Sequence, residues 1–266
     1  MPPDLYFALT LIVKMAVTAG FVVAATVTAE RAGPVIGGMV ATLPIGAGPV
    51  YVFLAMDHDA RFIAQSAVAS LAINAANATF AIVYSLLAQT RSLAASLCGA
   101  FAVWLVFASV IRAVDWTLPT AATMNGAVLA LCIWRVGRLR HVRMRPFRAR
   151  LPDFLLRAVM VSVLVGVVVT FSFRLGPAGS GLLAVFPVVL TSIALVMHPR
   201  MGGKAAAAVL ANAPIGLIGF AFACVVLHFT AEPFGNVIGL ALAMATSLSW
   251  SVLMMLLHRP PAPELT

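Results

Sequence analysis

The sequence predicts an all-α fold, a polytopic bundle of about nine transmembrane helices that form two related halves of inverted topology. Three observations predict it. Of the 266 residues, 62% are hydrophobic and only 9% are charged, more apolar surface than a soluble domain can bury. The apolar runs continue for about 20 residues, which suits a bilayer-crossing helix and not the alternation of a membrane barrel. A sequence motif also recurs 143 residues downstream.

Glycine, proline and charged residues divide the apolar sequence into spans. The predicted limits are 8–30, 34–56, 61–88, 92–113, 120–138, 154–174, 178–198, 204–229 and 234–257, and the same hydropathy permits a count of eight to ten. Short connections make successive helices antiparallel neighbours. The domains that follow are 1–134 (a repeat plus one extra span), a basic loop at 135–153, a second repeat at 154–258 and a tail at 259–266.

The orientation follows from the distribution of arginine and lysine. Cytoplasmic loops of inner-membrane proteins are rich in these residues, so the basic loop is predicted to be cytoplasmic in a bacterial inner (cytoplasmic) membrane. The N-terminus is then outside and the C-terminus inside, with 13 basic residues inside and three outside. The net charge of +9 is therefore explained by topology and not by nucleic acid. Eight arginines form the block, which also suits anionic lipid headgroups: Arg135, Arg138, Arg140, Arg143, Arg145, Arg148, Arg150 and Arg157.

An internal repeat relates the two halves. Residues 31–44 (RAGPVIGGMVATLP) match residues 174–187 (RLGPAGSGLLAVFP) at six of fourteen positions, and the same offset pairs Lys14 with Arg157. With a small gap, Asn74 also faces Asn212. Five spans before the cytoplasmic loop would turn the second half upside down. Inverted repeats of this kind occur in secondary transporters, where the substrate site lies between the halves.

Each half resembles the small four-span inner-membrane proteins of the GlpM type. The motifs behind the resemblance are a basic residue at the start of the first span, a small-residue run ending in proline, and a third span after a charged turn. The first two lie at Lys14 and Arg157 and at Leu43-Pro44 and Phe186-Pro187. The resemblance covers most of 8–113 and 152–257. This chain differs by fusing two copies and adding the span at 120–138. The resemblance implies a membrane protein but no particular substrate.

Helix-breaking residues in the second and seventh spans predict a central binding site. Gly46 and Gly48 follow Pro44, and Pro187 lies in the middle of the equivalent span. Proline removes a backbone donor and breaks the helix, and the freed carbonyls must face other helices or a wet cavity. In transporters such breaks point at the substrate. The alternative is a simple kink in which glycine allows close packing.

The third span carries a polar face. Ser66, Ser70, Asn74 and Asn77 share one side of the helix, which must point inward because asparagine is costly against lipid. This face either lines a polar pathway or joins helices through hydrogen bonds worth roughly 0.6 kcal/mol each. The equivalent span has Asn212.

Lys14 is the one charged candidate for the site. A lysine deep in the membrane is costly and therefore often functional, but alignment with Arg157 favours an interfacial side chain that reaches the headgroups. Asp57, His58 and Asp59 are expected to form a solvated loop, since three consecutive residues cannot all face one metal or proton site. The three cysteines are isolated, and no catalytic motif is present. We therefore expect no enzyme, metal or cofactor.

These features favour a small secondary transporter, exporter or facilitator of a small solute, with its site near Pro44, Pro187, Asn74 and Asn212. A neutral, amphipathic or anionic solute fits the lack of buried carboxylates. One alternative is a non-catalytic scaffold or accessory subunit that binds a membrane protein or a second copy. Another is a flippase for lipid or lipid-linked substrates. A polar cleft between the halves would favour transport, a tightly packed centre would favour the scaffold, and a groove open to the bilayer would favour the flippase.

Overall fold

The computed structural model describes residues 3–31, 46–135 and 150–257, and within these ranges all regular structure is helical. The helices are α1 (Pro3–Arg31), α2 (Ala47–Asp57), α3 (Ala60–Leu87), α4 (Leu93–Arg112), α5 (Leu118–Arg135), α6 (Leu151–Ala184), α7 (Val188–Met201), α8 (Gly203–Leu210) and α9 (Ala213–Leu257). Two of them are kinked. α6 bends at Gly176 (φ +66°) and α9 at Gly235 (φ +81°), a left-handed conformation that glycine adopts without steric cost.

Four helical stretches among the described residues are long and apolar enough to cross a bilayer. They are Ala60–Leu87, Leu93–Arg112, Leu151–Met201 and Gly203–Met254. The last two, of 51 and 52 residues, far exceed the roughly 20 residues of a single crossing, and each contains a kink and a break. The chain is therefore a helical membrane protein, as its composition predicted. Nine separate crossings and the inverted arrangement of the halves remain predictions.

α3 is the central helix of the bundle. In its most apolar stretch, 89% of the residues are buried within the protein, against 28% for the neighbouring α4. Helices α4, α5, α6, α8 and α9 all pack against it. Its alanine, serine and asparagine side chains allow this crowding, because small residues let backbones approach closely. A close approach is at Gly181 of α6, where a Cβ atom would lie 2.1 Å from the carbonyl oxygen of Ser66.

α3 runs antiparallel to α8 and to the first part of α9. As residue numbers increase along α3, the numbers of the residues that they contact decrease, from α9 into α8. The contacts that define this direction join Ala64 to His228, Asn74 to Leu217, Ser85 to Ala207 and Ala88 to Gly203.

Of two helix breaks near the site, the first lies at the predicted helix-breaking residue Pro187, whereas the second interrupts the predicted span 204–229. α6 ends at Ala184 and α7 begins at Val188, just after Pro187. α8 ends at Leu210 and α9 begins at Ala213, so Asn212 lies in the break and Pro214 in the first turn of the next helix. These breaks and α2 position the site described next.

Candidate functional site

A cavity of about 300 Å³ lies where the broken helices meet. We call it the central cavity. It has space for about ten water molecules at roughly 30 Å³ each. Its walls come from the start of α2, the middle of α3, the break between α6 and α7, and the break between α8 and α9. The residues used below are Gly46, Asn77, Val185, Pro187, Asn212 and Phe220.

Asn77 holds the broken end of α6. Its side-chain amide donates to the carbonyl oxygen of Val185 at 2.7 Å, and its own oxygen accepts from the Trp104 indole at 2.8 Å. The break frees the Val185 carbonyl from a regular helical bond, so a buried partner is needed. Asparagine has four hydrogen-bonding positions. Asn77 therefore keeps one N–H and one lone pair that these two bonds do not use.

Asn212 provides the other amide of the central cavity. It lies between α8 and α9, is exposed, and donates to the Ala208 carbonyl at 2.9 Å. Among the described residues that line the cavity, Asn77 and Asn212 have the only polar side chains, and none carries a charge. Burying an unpaired charge there would be costly, so the described walls suit an uncharged group.

A second cavity, also of about 300 Å³, adjoins the first. We call it the side cavity. Ala47 and Phe220 line both cavities. The Tyr51 hydroxyl at its wall is already bonded to Ser70 at 2.7 Å, and the other described lining residues are apolar or glycine. At the rim, Val52 is 47% exposed and Ala241 is exposed, so the side cavity reaches the apolar outer surface of the bundle.

Asn74 lies directly behind the central cavity. Its amide donates to the Leu217 carbonyl at 3.1 Å and to the side-chain oxygen of Asn125 at 3.2 Å. Leu217 itself lines the cavity. The side-chain oxygen of Asn74 is buried and, among the described residues, has no hydrogen-bond partner. Asn74 thus joins α3 to α5 and α9, and it gives Asn125, on the extra helix, a buried polar partner.

Lys14 does not line either cavity. Its ammonium forms an ion pair with Asp57 at the end of α2, at 2.6 and 2.7 Å to the two carboxylate oxygens, and lies 5.7 Å from the centre of the Phe53 ring. The Lys14 side chain is only 8% exposed, so its charge is paired with a carboxylate inside the protein. Ala47, which lines both cavities, and Asp57 are at opposite ends of α2, about 15 Å apart at 1.5 Å per residue. The ion pair therefore lies about one α2 length from the part of this helix that lines the central cavity.

His58 also departs from the expected solvated loop. Its ring stacks on Phe62 at 3.7 Å and lies 4.3 Å from Phe173, and Nε2 is 2.8 Å from the Ser172 hydroxyl. Burial lowers the pKa of His58 below its usual value, although the nearby Asp57 and Asp59 carboxylates oppose this shift. The connection between α2 and α3 thus packs against the part of α6 that lies just before the kink at Gly176.

A matching set of contacts lies at the other end of α3. Tyr84 and His198 are joined at 2.8 Å between hydroxyl and Nδ1, which ties α3 to α7. Asp153 at the start of α6 forms an ion pair with Arg200 at the end of α7. The Arg157 side chain also reaches α7, where its Nε donates to Ser192 at 3.3 Å.

No protein-family model, curated protein or solved structure matches this chain.

The structure brings most of the predicted site residues together. Around the central cavity lie Gly46, Asn77, Pro187 and Asn212; Gly48 lines the side cavity; Asn74 lies one layer behind; Lys14 lies apart; Pro44 lies outside the described residues. The sequence reasoning missed Phe220, which separates the cavities, and Trp104, which supports Asn77. In a continuously apolar span, an aromatic residue that faces a cavity has no sequence signal to separate it from one that faces lipid.

Proposed function

We propose that the chain is a small secondary carrier of the bacterial inner membrane. In this proposal two inverted repeats hold a solute in the central cavity and expose it alternately to the two sides. The observation that carries the proposal is that three pairs of residues 143 positions apart line this one cavity. The pairs that line it are Gly46 with Val189, Ala47 with Leu190, and Asn77 with Phe220.

Contacts between such pairs support a twofold axis through the cavity, because only residues near an axis can meet their own counterparts. A Cβ atom on Gly46 would lie 3.5 Å from the Val189 side chain. The Asn74 amide donates to the carbonyl of Leu217, which is also 143 residues on.

Contacts away from the axis should occur twice, with the halves exchanged. His228 donates to the Ala64 carbonyl at 3.0 Å, and Ser85 donates to the Ala207 carbonyl at 3.1 Å. Adding 143 to 64 and 85 gives 207 and 228, so the two hydrogen bonds are counterparts of each other. Serine and histidine differ, but each reaches the same kind of backbone acceptor.

The direction of the helices supports inversion and not simple duplication. Shifted by 143, α3 corresponds to 203–230, which begins with α8 and continues into α9. α3 runs antiparallel to this counterpart, as two inverted repeats require. Parallel repeats, related by an axis along the membrane normal, would place the two helices in parallel. Descent of each half from a GlpM-type unit belongs to the same proposal.

The contacts between halves suggest how access could alternate. His58 to Ser172 joins the halves at one end of α3, and Tyr84 to His198 joins them at the other. Opening one connection while the other stays closed would expose the central cavity to one side only, as in rocking carriers. A scaffold would instead be expected to have a packed centre, whereas the opening of the side cavity to the outer surface also fits the flippase as a second candidate function.

A crosslinking experiment tests this alternation. The three native cysteines are replaced, and Asn212→Cys reports access of a membrane-impermeant maleimide to the cavity from either side. A thiol crosslink between His58→Cys and Ser172→Cys should leave labelling from the cytoplasm only. A crosslink between Tyr84→Cys and His198→Cys should leave labelling from outside only.

Two controls complete the test. Gly126→Cys, on the outer surface of α5, should resist the maleimide from both sides because lipid covers it. In the exposed turns, Asp115→Cys should label from outside and Arg91→Cys from the cytoplasm. Unchanged access to Asn212→Cys with either crosslink would refute the carrier, and exchanged sides for the turn variants would refute the orientation.

A further inference from the structure

We propose that the two cavities together bind one neutral amphiphile, a molecule with an uncharged polar end and a single hydrocarbon tail. The polar end lies in the central cavity and the tail in the side cavity. This inference rests on the proposed carrier for the movement of the ligand, and it names the chemical class of the substrate.

The polar end is defined by Asn77 and Asn212. Both are carboxamides, which donate and accept hydrogen bonds but carry no charge. Asn77 has one N–H and one lone pair left after its bonds to Val185 and Trp104. Hydroxyl, ester and amide groups match these positions. A carboxylate or an ammonium would lose its hydration without finding an opposite charge among the described lining residues.

The tail is defined by the side cavity. It continues directly from the central cavity past Ala47 and Phe220. Its one hydroxyl among the described lining residues, that of Tyr51, is taken by Ser70, so these walls offer a ligand no free side-chain hydroxyl. At about 300 Å³ each, the two volumes together fall in the usual range of small-molecule sites.

The position of the rim supports entry from the bilayer. Val52 and Ala241 are exposed on α2 and α9 at the edge of the side cavity, on a surface with no charged residue among the described lining. A molecule that dissolves in the membrane can therefore enter head-first between these helices, so that its polar end reaches the central cavity and its tail stays in the side cavity. A strongly hydrated solute would have to cross the hydrocarbon region to use the same opening, which is costly.

Trp104 provides a direct probe of occupancy. Its indole N–H donates to Asn77, and its ring centre lies 5.0 Å from that of Phe186 in an edge-on arrangement. Asn77 and Phe186 line the central cavity. At 3% exposure it is shielded from lipid. A variant with phenylalanine at Trp116, Trp134 and Trp250 leaves this indole as the only tryptophan. Thermal unfolding of this triple variant first confirms that it is folded.

The experiment measures quenching of Trp104 fluorescence in lipid nanodiscs. The ligand is a monoacylglycerol brominated on the second carbon of its acyl chain, next to the head. We expect saturable quenching that unbrominated monoacylglycerol reverses. The corresponding brominated fatty acid and trimethylammonium amphiphile should bind at least tenfold more weakly. Quenching that rises linearly without saturation, or equal affinity for the three head groups, would overturn the proposal.

A matched pair of variants tests the tail. At Gly48, a Cβ atom meets only the Met244 methyl at 3.7 Å, so Gly48→Leu projects into the side cavity. At Gly126, a Cβ atom meets nothing within 4 Å, so Gly126→Leu adds the same group to the outer surface. Gly48→Leu should raise the Kd at least tenfold and Gly126→Leu should leave it unchanged. An unchanged Kd in Gly48→Leu would exclude the side cavity as the tail site.

The two proposals can fail separately. Saturable binding without alternating access to Asn212→Cys would uphold the neutral amphiphile and refute the carrier. Alternating access without saturable binding would uphold the carrier and overturn the neutral amphiphile as its substrate.

Discussion

Replacing Asp57 with leucine would leave the Lys14 ammonium without its carboxylate in an almost fully buried position. Breaking a buried ion pair by removing one partner costs about 3–5 kcal/mol, because an uncompensated charge stays inside. The Asp57 side chain is 25% exposed, against 8% for Lys14, so water can reach part of the pair. We therefore expect a cost of about 2–3 kcal/mol for Asp57→Leu, just below that range.

The double variant Lys14→Met with Asp57→Leu should recover most of this loss. Apolar side chains of similar volume can replace a buried pair at little cost, and the Phe53 ring gives them an apolar neighbour. We expect the double variant to unfold within about 1 kcal/mol of the native protein. Equilibrium unfolding in mixed micelles, arranged as a double-mutant cycle, measures the coupling.

The Asp153 and Arg200 pair serves as the comparison, because the arginine side chain is 27% exposed. Exposed pairs typically contribute about 0.2–1 kcal/mol, so this second cycle should give the smaller coupling. Single variants at Lys14 and Asp57 that cost less than about 0.5 kcal/mol, in the range of exposed pairs, would refute the claim that the pair is buried. A double variant as unstable as the sum of the two single variants would refute the coupling.

Three further results are expected from thermal unfolding and ligand binding. Asn77→Leu should destabilise the fold by about 1–3 kcal/mol, because a buried carbonyl and an indole N–H lose their partner, and it should abolish Trp104 quenching by the amphiphile. Gly181→Ala should lower the yield of folded protein, since its Cβ would collide with the α3 backbone, whereas Gly20→Ala has open space and should not. Because burial lowers the pKa of His58 in the folded state, stability should be highest above its usual pKa of about 6.5 and decrease as pH falls through the lower folded value; His58→Gln should remove this dependence.

Hydropathy predicted the helices well where a span is straight and bounded by turns. The expected limits 61–88 and 92–113 differ by one residue at each end from Ala60–Leu87 and Leu93–Arg112. Hydropathy predicted the helix ends less well where two expected spans form one helix that is kinked in the middle. The expected divisions near 176 and 232 correspond to bends inside α6 and α9, because Gly176 and Gly235 redirect the chain without ending the helical hydrogen bonding for long.

The polar candidates were found because burial makes them costly. Asn77 and Asn212 are conspicuous in an apolar run, and lipid cannot satisfy them. For Lys14 the sequence favoured a side chain that reaches the headgroups, and it did not predict the carboxylate partner that the structure shows. Asp57 lies 43 residues away, and its selection depends on how α1 packs on the end of α2. Hydropathy, which treats each span alone, contains no information on that packing.

Some contacts that support the proposed repeat join positions whose residues differ between the halves. A gap was needed to place Asn74 opposite Asn212, yet the structure brings Asn74 to Leu217, at the ungapped offset of 143. Under the proposed symmetry, Asp57 corresponds to Arg200, and each is paired with the first helix of its own half by an ion pair of opposite polarity. The charge is reversed only between Asp57 and Arg200; the counterpart of Lys14 is Arg157, and Asp153, which pairs with Arg200, lies one helical turn before it. Under the proposed symmetry, the two halves are more alike in their contacts than in their residues, so further repeat-related positions should be sought by comparing contacts before residues.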